Sequence, residues 1–142
     1  MMTKQKLTCG LMFGLLLLGG PLLQAKNWPR FRGPNGSGVS EAKNIPATWT
    51  EENVRWSAEL PGSGHSSPIV WEDRLFVTSA DAQAGKRYLL CHHAKTGEQL
   101  WQREFPFTSY KKHNNNSFAT NTPCCDAQHV YVLWQAASDG CR

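Results

Sequence analysis

Short apolar runs separated by turn residues make up most of the chain after residue 26. The runs are rich in β-branched and aromatic residues, and they show little of the 3.6-residue period of an amphipathic helix. Glu72-Asp73 separates two of these runs, and Gly97 suits a tight turn between two more because glycine readily adopts a positive φ. The pattern predicts four antiparallel strands in sequence, at residues 67–71, 74–80, 86–94 and 98–105.

The same pattern recurs at a fixed distance along the chain. Pro68 and Pro123 lie 55 residues apart, and the apolar run that begins at Leu75 returns at Val130 with the same offset. Both runs are continuously apolar instead of alternating with polar residues, which indicates strands covered on both faces. Self-similarity at this period, with about four strands in each unit, is typical of the blades of a β-propeller.

The tryptophans support the same interpretation and predict one more strand. All six lie after residue 25, and large flat rings can fill the wedge between stacked blades. Residues 54–57 resemble residues 99–102, and each segment places a Trp, Trp56 or Trp101, in a predicted outer strand. The strand around Val54 has the place of the strand that closes a propeller by pairing with the last blade, and it is expected to lack that partner here.

Residues 1–25 have the pattern of a secretory signal peptide. Lys4 and Lys6 precede an apolar run over residues 7–18, helix-breaking residues follow, and Ala25 offers a small side chain at the cleavage position. The alternative is a membrane anchor, but the run is shorter than the roughly 20 residues that a bilayer core requires. The pattern therefore predicts a periplasmic or secreted protein with no membrane span once the peptide is removed.

Charge and cysteine content narrow the classes of partner. The 142 residues carry a net charge of +4, part of which comes from Lys4 and Lys6, and the other basic residues form no stripe. A nucleic-acid partner is therefore not expected.

Export would allow disulfides among four cysteines, and their spacing leaves all three pairings open. No pair of ligands has the spacing of a zinc site, so no metal site is predicted. The four cysteines are Cys91, Cys124, Cys125 and Cys141.

One segment resembles a known repeat. Residues 91–101 are similar to the motif A-x-D-x-x-T-G-x-x-x-W of the pyrroloquinoline-quinone (PQQ) propellers. Thr96, Gly97 and Trp101 match the motif, whereas Cys91 replaces its Ala and His93 replaces its Asp. Residues 28–39 resemble the W-P-x-F-R-G-P-x-G-x-G opening of exported PQQ-like proteins of planctomycete-type bacteria. The resemblance covers nearly all of residues 28–142.

The resemblance implies an all-β chain built as a β-propeller of four-stranded antiparallel blades. Behind the signal peptide, residues 26–52 form an irregular N-terminal segment, and residues 53–142 form a partial PQQ-like propeller. The first blade is expected over about 53–107, and the second begins at about 118–142. Because members of the family carry several blades, the chain is interpreted as an N-terminal fragment with about one and a half blades.

Two functions follow from the resemblance. The first is a non-catalytic binding or scaffold module for other envelope proteins or polysaccharide, without a cofactor. The alternative is a fragment of a PQQ-dependent alcohol or sugar dehydrogenase, which uses PQQ with calcium. Some of these enzymes place a disulfide ring of adjacent cysteines over the quinone, so Cys124 and Cys125 are a possible disulfide. The chain contains no recognisable set of Asp base and calcium ligands, which favours the first function.

No catalytic residue is assigned from the sequence. His65, His113 and Asn116 lie in predicted loops and are candidates for ligand contact, with surface hydrogen bonding as the alternative. The glycines between Gly33 and Gly38 lack the strand before and the helix after that a phosphate loop requires, so a structural turn is expected. His92 and its neighbour His93 should point to opposite faces of a strand and should not share a metal.

Overall fold

The computed structural model of the protein describes residues 27–43 and 45–135. Within these residues the chain is all-β and has no α-helix; its single helical element is a 3₁₀ turn over Glu51–Asn53. The six strands are β1 (Ile69–Trp71), β2 (Arg74–Asp81), β3 (Lys86–His93), β4 (Gln99–Pro106), β5 (Cys124–Cys125) and β6 (Val130–Tyr131). The predicted signal peptide and the part of the predicted second blade beyond residue 135 lie outside the described residues.

Strands β1 to β4 form one antiparallel sheet in sequence order, which confirms the predicted four-strand meander. Strand β1 begins two residues later than predicted. The preceding residue, Ser66, bonds to β2 through its side chain instead of its backbone. Its hydroxyl accepts from the Thr78 N–H at 3.1 Å and donates to the Thr78 carbonyl at 3.0 Å. The Ser67 N–H donates out of the sheet to Thr122 Oγ1 at 3.0 Å.

The main hydrophobic cluster lies on one face of this sheet, and Tyr88 and Leu90 are buried on the other face. The buried members of the cluster are Ile69, Phe76, Leu89 and Cys91. Three of them, together with Trp101, form a single row, because the pairing joins Ile69 to Phe76, Phe76 to Cys91 and Cys91 to Trp101. Strands β5 and β6 form a second sheet that packs on this face through the side chains of Cys125, Val130 and Val132.

The two hairpins repeat the same register. Ile69 of β1 pairs with Phe76 of β2, and Cys124 of β5 pairs with Tyr131 of β6. Each residue of the second pair lies 55 positions after its counterpart in the first. The segment at Trp28 joins the two hairpins at equivalent points. Trp28 exchanges two backbone hydrogen bonds with Val70, at 2.8 and 2.9 Å, and the next carbonyl along the chain accepts from the Cys125 N–H at 2.9 Å.

The predicted strand around Val54 is not formed. The 3₁₀ turn ends at Asn53, and the following residues pair with no strand in the described part of the chain. The backbone N–H and C=O groups of a strand need a neighbouring strand to pair with. Here the segment is attached to the sheet by a side chain instead, because the Trp56 indole N–H donates to the Ala94 carbonyl at 3.1 Å. Across residues 27–43 and 45–135, no helix has the length and apolar character needed to cross a membrane.

Candidate functional site

The repeat motif serves the architecture of the first sheet. Gly97 has a φ of +76°, and a Cβ at this position would lie 2.6 Å from the Trp56 ring, so both conformation and space require glycine. The Gly97 N–H donates to the His93 carbonyl at 2.9 Å and closes the turn. Trp101 packs on the core, and Thr96 Oγ1 accepts from the Glu98 N–H at 3.4 Å. These contacts account for the three matched motif residues.

The two histidines of β3 face opposite sides of the sheet. His93 is partly exposed, and its Nδ1 accepts from the Lys95 N–H at 3.3 Å, which is a turn hydrogen bond. His92 is only 3% exposed and lies parallel to the Trp56 ring, with centroids 6.5 Å apart. Its Nδ1 is 2.9 Å from the Gly97 carbonyl oxygen, so Nδ1 carries the proton, and the buried Nε2 has no hydrogen-bond partner among the described residues.

The three loop candidates are placed near one connection but are not joined into a site. The His65 N–H donates to the Ala119 carbonyl at 3.0 Å, which holds residue 65 against the turn at residues 117–120. His113 is exposed; its Nδ1 accepts from the Asn115 N–H at 3.2 Å, and its carbonyl accepts from the Asn116 N–H at 2.9 Å. In the described part of the chain, no hydrogen bond or ring contact joins the side chains of His65 and His113.

The adjacent cysteines lie on β5 as free thiols, as does Cys91 on β3. Cys125 packs against the core, and its exposed neighbour Cys124 leaves the strand on the other face. Burial, followed by the charges of Cys124 and Asp126, raises the pKa of the Cys125 thiol to about 11. In this arrangement the pair does not present a ring to a quinone, and the disulfide stays a prediction. Within residues 27–43 and 45–135, no three His, Cys, Asp or Glu side chains are grouped as a metal site requires.

A cleft opens where the turn between β1 and β2 meets the turn between β5 and β6. Its volume is about 360 Å³. The partly exposed rings of Trp71 and Trp101 and the buried ring of Phe76 line one side. The second turn lines the other side with polar side chains that include Asp126 and His129. Both repeats therefore contribute to the cleft, which is why neither sequence segment alone indicates it.

Hydrogen bonds hold the polar wall of the cleft in place. Asp126 Oδ1 accepts from the backbone N–H groups of Gln128 at 2.8 Å and His129 at 2.7 Å, and Oδ2 accepts from the Tyr131 hydroxyl at 2.8 Å. These donors, the Gln128 N–H first, hold the pKa of the Asp126 carboxyl below its ordinary value. His129 Nδ1 lies 3.6 Å from Asp126 Oδ1.

Arg87 is a buried cation that the sequence did not single out. It is 5% exposed, and its guanidinium lies 4.4 Å from the ring centroid of Phe107 and 5.4 Å from that of Trp134. Its Nε–H donates to the Phe118 carbonyl at 2.9 Å, and an Nη2–H donates to the Gln135 carbonyl at 2.6 Å. Arg87 thereby connects the first sheet to the segment between the sheets and to the chain that follows β6.

The fold and the cleft define an all-β protein in which a four-stranded antiparallel sheet is stacked on a two-stranded hairpin of the same register. No protein-family model, curated protein or solved structure matches the chain.

Proposed function

We propose that the protein is an exported β-propeller of the PQQ-like repeat class and that it acts as a non-catalytic binding or scaffold module. Its partners are other envelope proteins or polysaccharide. The repeated register carries this proposal: Val70 pairs with Leu75 in the first hairpin, and Cys125 pairs with Val130 in the second. Repeated β-units that stack face to face bury a shared core, which is the principle of a propeller.

Contacts between the units support the same proposal. The second hairpin contributes Cys125 and Val130 to the core face of the first sheet, so each unit covers apolar surface that the other exposes. The Ser67 N–H donates to Thr122 Oγ1, its own counterpart 55 residues later, at 3.0 Å. Shared contacts between neighbouring units are what a stacked repeat architecture requires.

Two carboxyl groups have lowered pKa values that hydrogen bonds explain. Catalytic acids and bases have altered pKa values that serve a reaction. The pKa of Glu104 is lowered first by its hydrogen bond with Lys86, and that of Asp126 is lowered first by a backbone N–H. Both carboxylates therefore stay ionised at neutral pH.

A cofactor titration separates this proposal from the PQQ dehydrogenase. The mature chain would be titrated with PQQ and calcium and followed by absorbance, with dye-linked alcohol oxidation as the activity readout. We expect no stoichiometric complex and no oxidation. A matched variant, C124S/C125S, should behave like the wild type. A stoichiometric complex that oxidises alcohol, and that the double variant loses, would overturn the non-catalytic proposal.

A further inference from the structure

The cleft between the two hairpin turns has the composition of a small-ligand site. Its volume of about 360 Å³ falls in the usual range for such sites, roughly 300–1,000 Å³. Ligand sites combine apolar walls with a few fixed polar groups, and here aromatic rings face a turn whose carboxylate is held by three hydrogen bonds.

The aromatic wall fits a ligand with a flat apolar face. Trp71 and Trp101 are partly exposed, so their rings remain accessible from the cleft, and the buried Phe76 ring supports Trp101 at a centroid distance of 5.8 Å. Rigid indole rings give large contact area at low cost in side-chain entropy. The C–H groups on one face of a pyranose ring form a flat apolar surface of matching shape.

The charges of the cleft indicate that the ligand is neutral. Arg74 Nε lies 3.8 Å from Asp73 Oδ1, so this guanidinium is already beside a carboxylate, and the Asp126 carboxylate lines the facing wall. A phosphate or a polyanionic sugar would compete with these carboxylates and be repelled by them. A hydroxyl group has no such conflict, because it donates to a carboxylate and accepts from a guanidinium or an amide N–H.

We propose that this cleft binds a neutral pyranose unit of a polysaccharide. One face of the sugar ring stacks on Trp71 and Trp101, and its hydroxyl groups bond to polar side chains such as those of Gln128 and Arg74. The inference rests on the proposed function as a binding module. It adds where the ligand binds, in this cleft, and which class of ligand binds, a neutral pyranose.

The test uses the mature chain and three neutral trisaccharides as probes: cellotriose, xylotriose and maltotriose. Trigalacturonate serves as the charged probe. NMR resolves the indole N–H signals of the six tryptophans, which are assigned by single substitutions. We expect at least one neutral trisaccharide to shift the Trp71 and Trp101 signals in a saturable way. The signal of Trp49, a side chain outside the cleft that is 64% exposed, should not move.

Two variants locate the binding. Trp71→Ala should weaken the affinity about tenfold or more, the equivalent of about 1.4 kcal/mol. Gln128→Ala changes an exposed turn residue and should weaken it several-fold with the sheet intact. Trp49→Ala should bind like the wild type.

Three results would overturn the inference: no shift with any neutral probe, shifts confined to Trp49, or tighter binding of trigalacturonate. Hydrogen exchange of β3 in the same samples reports whether the sheet is intact. Lack of sugar binding by an intact sheet would refute the pyranose site alone, whereas PQQ-dependent oxidation in the separate titration would refute the non-catalytic function.

Discussion

Phe76 and Trp101 lie on strands that are not neighbours, yet their ring centroids are 5.8 Å apart. Strand β3 runs between them and places Cys91 at the shared position, paired with Phe76 on one side and with Trp101 on the other. The rings meet because the residue beneath them is small. Cys91 and Trp101, ten positions apart in the sequence, are therefore cross-strand partners, and the larger side chain covers the smaller.

Enlarging Cys91 should therefore separate the rings. Cys91 is fully buried, so Cys91→Leu adds volume to a packed core and should lower the free energy of unfolding by about 1–3 kcal/mol. Urea unfolding followed by near-UV circular dichroism measures both stability and ring packing. Cys91→Ala is the matched control and should keep the near-UV signal. An equally stable Leu variant with unchanged ring signals would contradict the account.

Substitutions at two glycines with similar φ values distinguish the cost of backbone strain from the cost of a steric clash. Gly97 (φ +76°) and Gly36 (φ +73°) both occupy the left-handed region, where an added Cβ costs about 1–2 kcal/mol. Only at Gly97 does a Cβ also meet a ring, that of Trp56; at Gly36 it meets nothing within 4 Å. Gly97→Ala should therefore lower Tm more than Gly36→Ala and should raise the accessibility of Trp56 to acrylamide. Equal losses in the two variants would show that Trp56 does not pack on the turn.

The buried guanidinium of Arg87 should not be replaceable by an ammonium group. Arg87→Lys keeps the charge but removes the fork that reaches the carbonyls of Phe118 and Gln135, and it leaves a buried cation with fewer hydrogen bonds. We expect a loss of about 2 kcal/mol or more in urea unfolding. The same substitution at the exposed Arg103 on β4 should cost less than about 0.5 kcal/mol. Similar losses in the free energy of unfolding at the two positions would contradict the role of Arg87 in connecting the first sheet to these segments.

The sequence predicted the structural elements whose signals lie within a few neighbouring residues. Turn residues and apolar runs lie close together in the chain, so the four-strand sheet and the 55-residue offset were both readable, and the register confirms the offset. The segment around Val54 has no strand partner among the described residues, and such a partner is something that no local pattern reveals. Arg87 was missed because its hydrogen-bond acceptors lie 31 and 48 residues away. The cleft likewise exists only once the two sheets pack.

Acid should weaken the turn between β5 and β6. The pKa of the Asp126 carboxyl is lowered in the folded protein, so its contribution to stability is fully present above the unfolded value of about 3.9. That contribution is lost as the pH falls through the folded pKa. Titration of the carboxyl carbon by NMR should give a midpoint below that of a short peptide. In Asp126→Asn, the acid-dependent change of the Tyr131 ring signals should disappear, since the hydroxyl donates to this carboxylate. A midpoint equal to that of the peptide would contradict the hydrogen bonds to Oδ1 and Oδ2.

The three described cysteines should react with iodoacetamide in the order of their exposure. Cys124 is exposed and should be alkylated first. Cys125 should follow slowly, because burial and neighbouring charge raise its pKa to about 11 and thiolate is the reactive form. Cys91 is fully buried, burial raises its pKa, and it should react only on unfolding. Mass spectrometry of peptides from the protein alkylated at mildly alkaline pH measures the order, and Cys124→Ser serves as the control that leaves Cys125 slow. If Cys124 and Cys125 resist alkylation until a reductant is added, they form a disulfide, and the free-thiol arrangement of β5 is wrong.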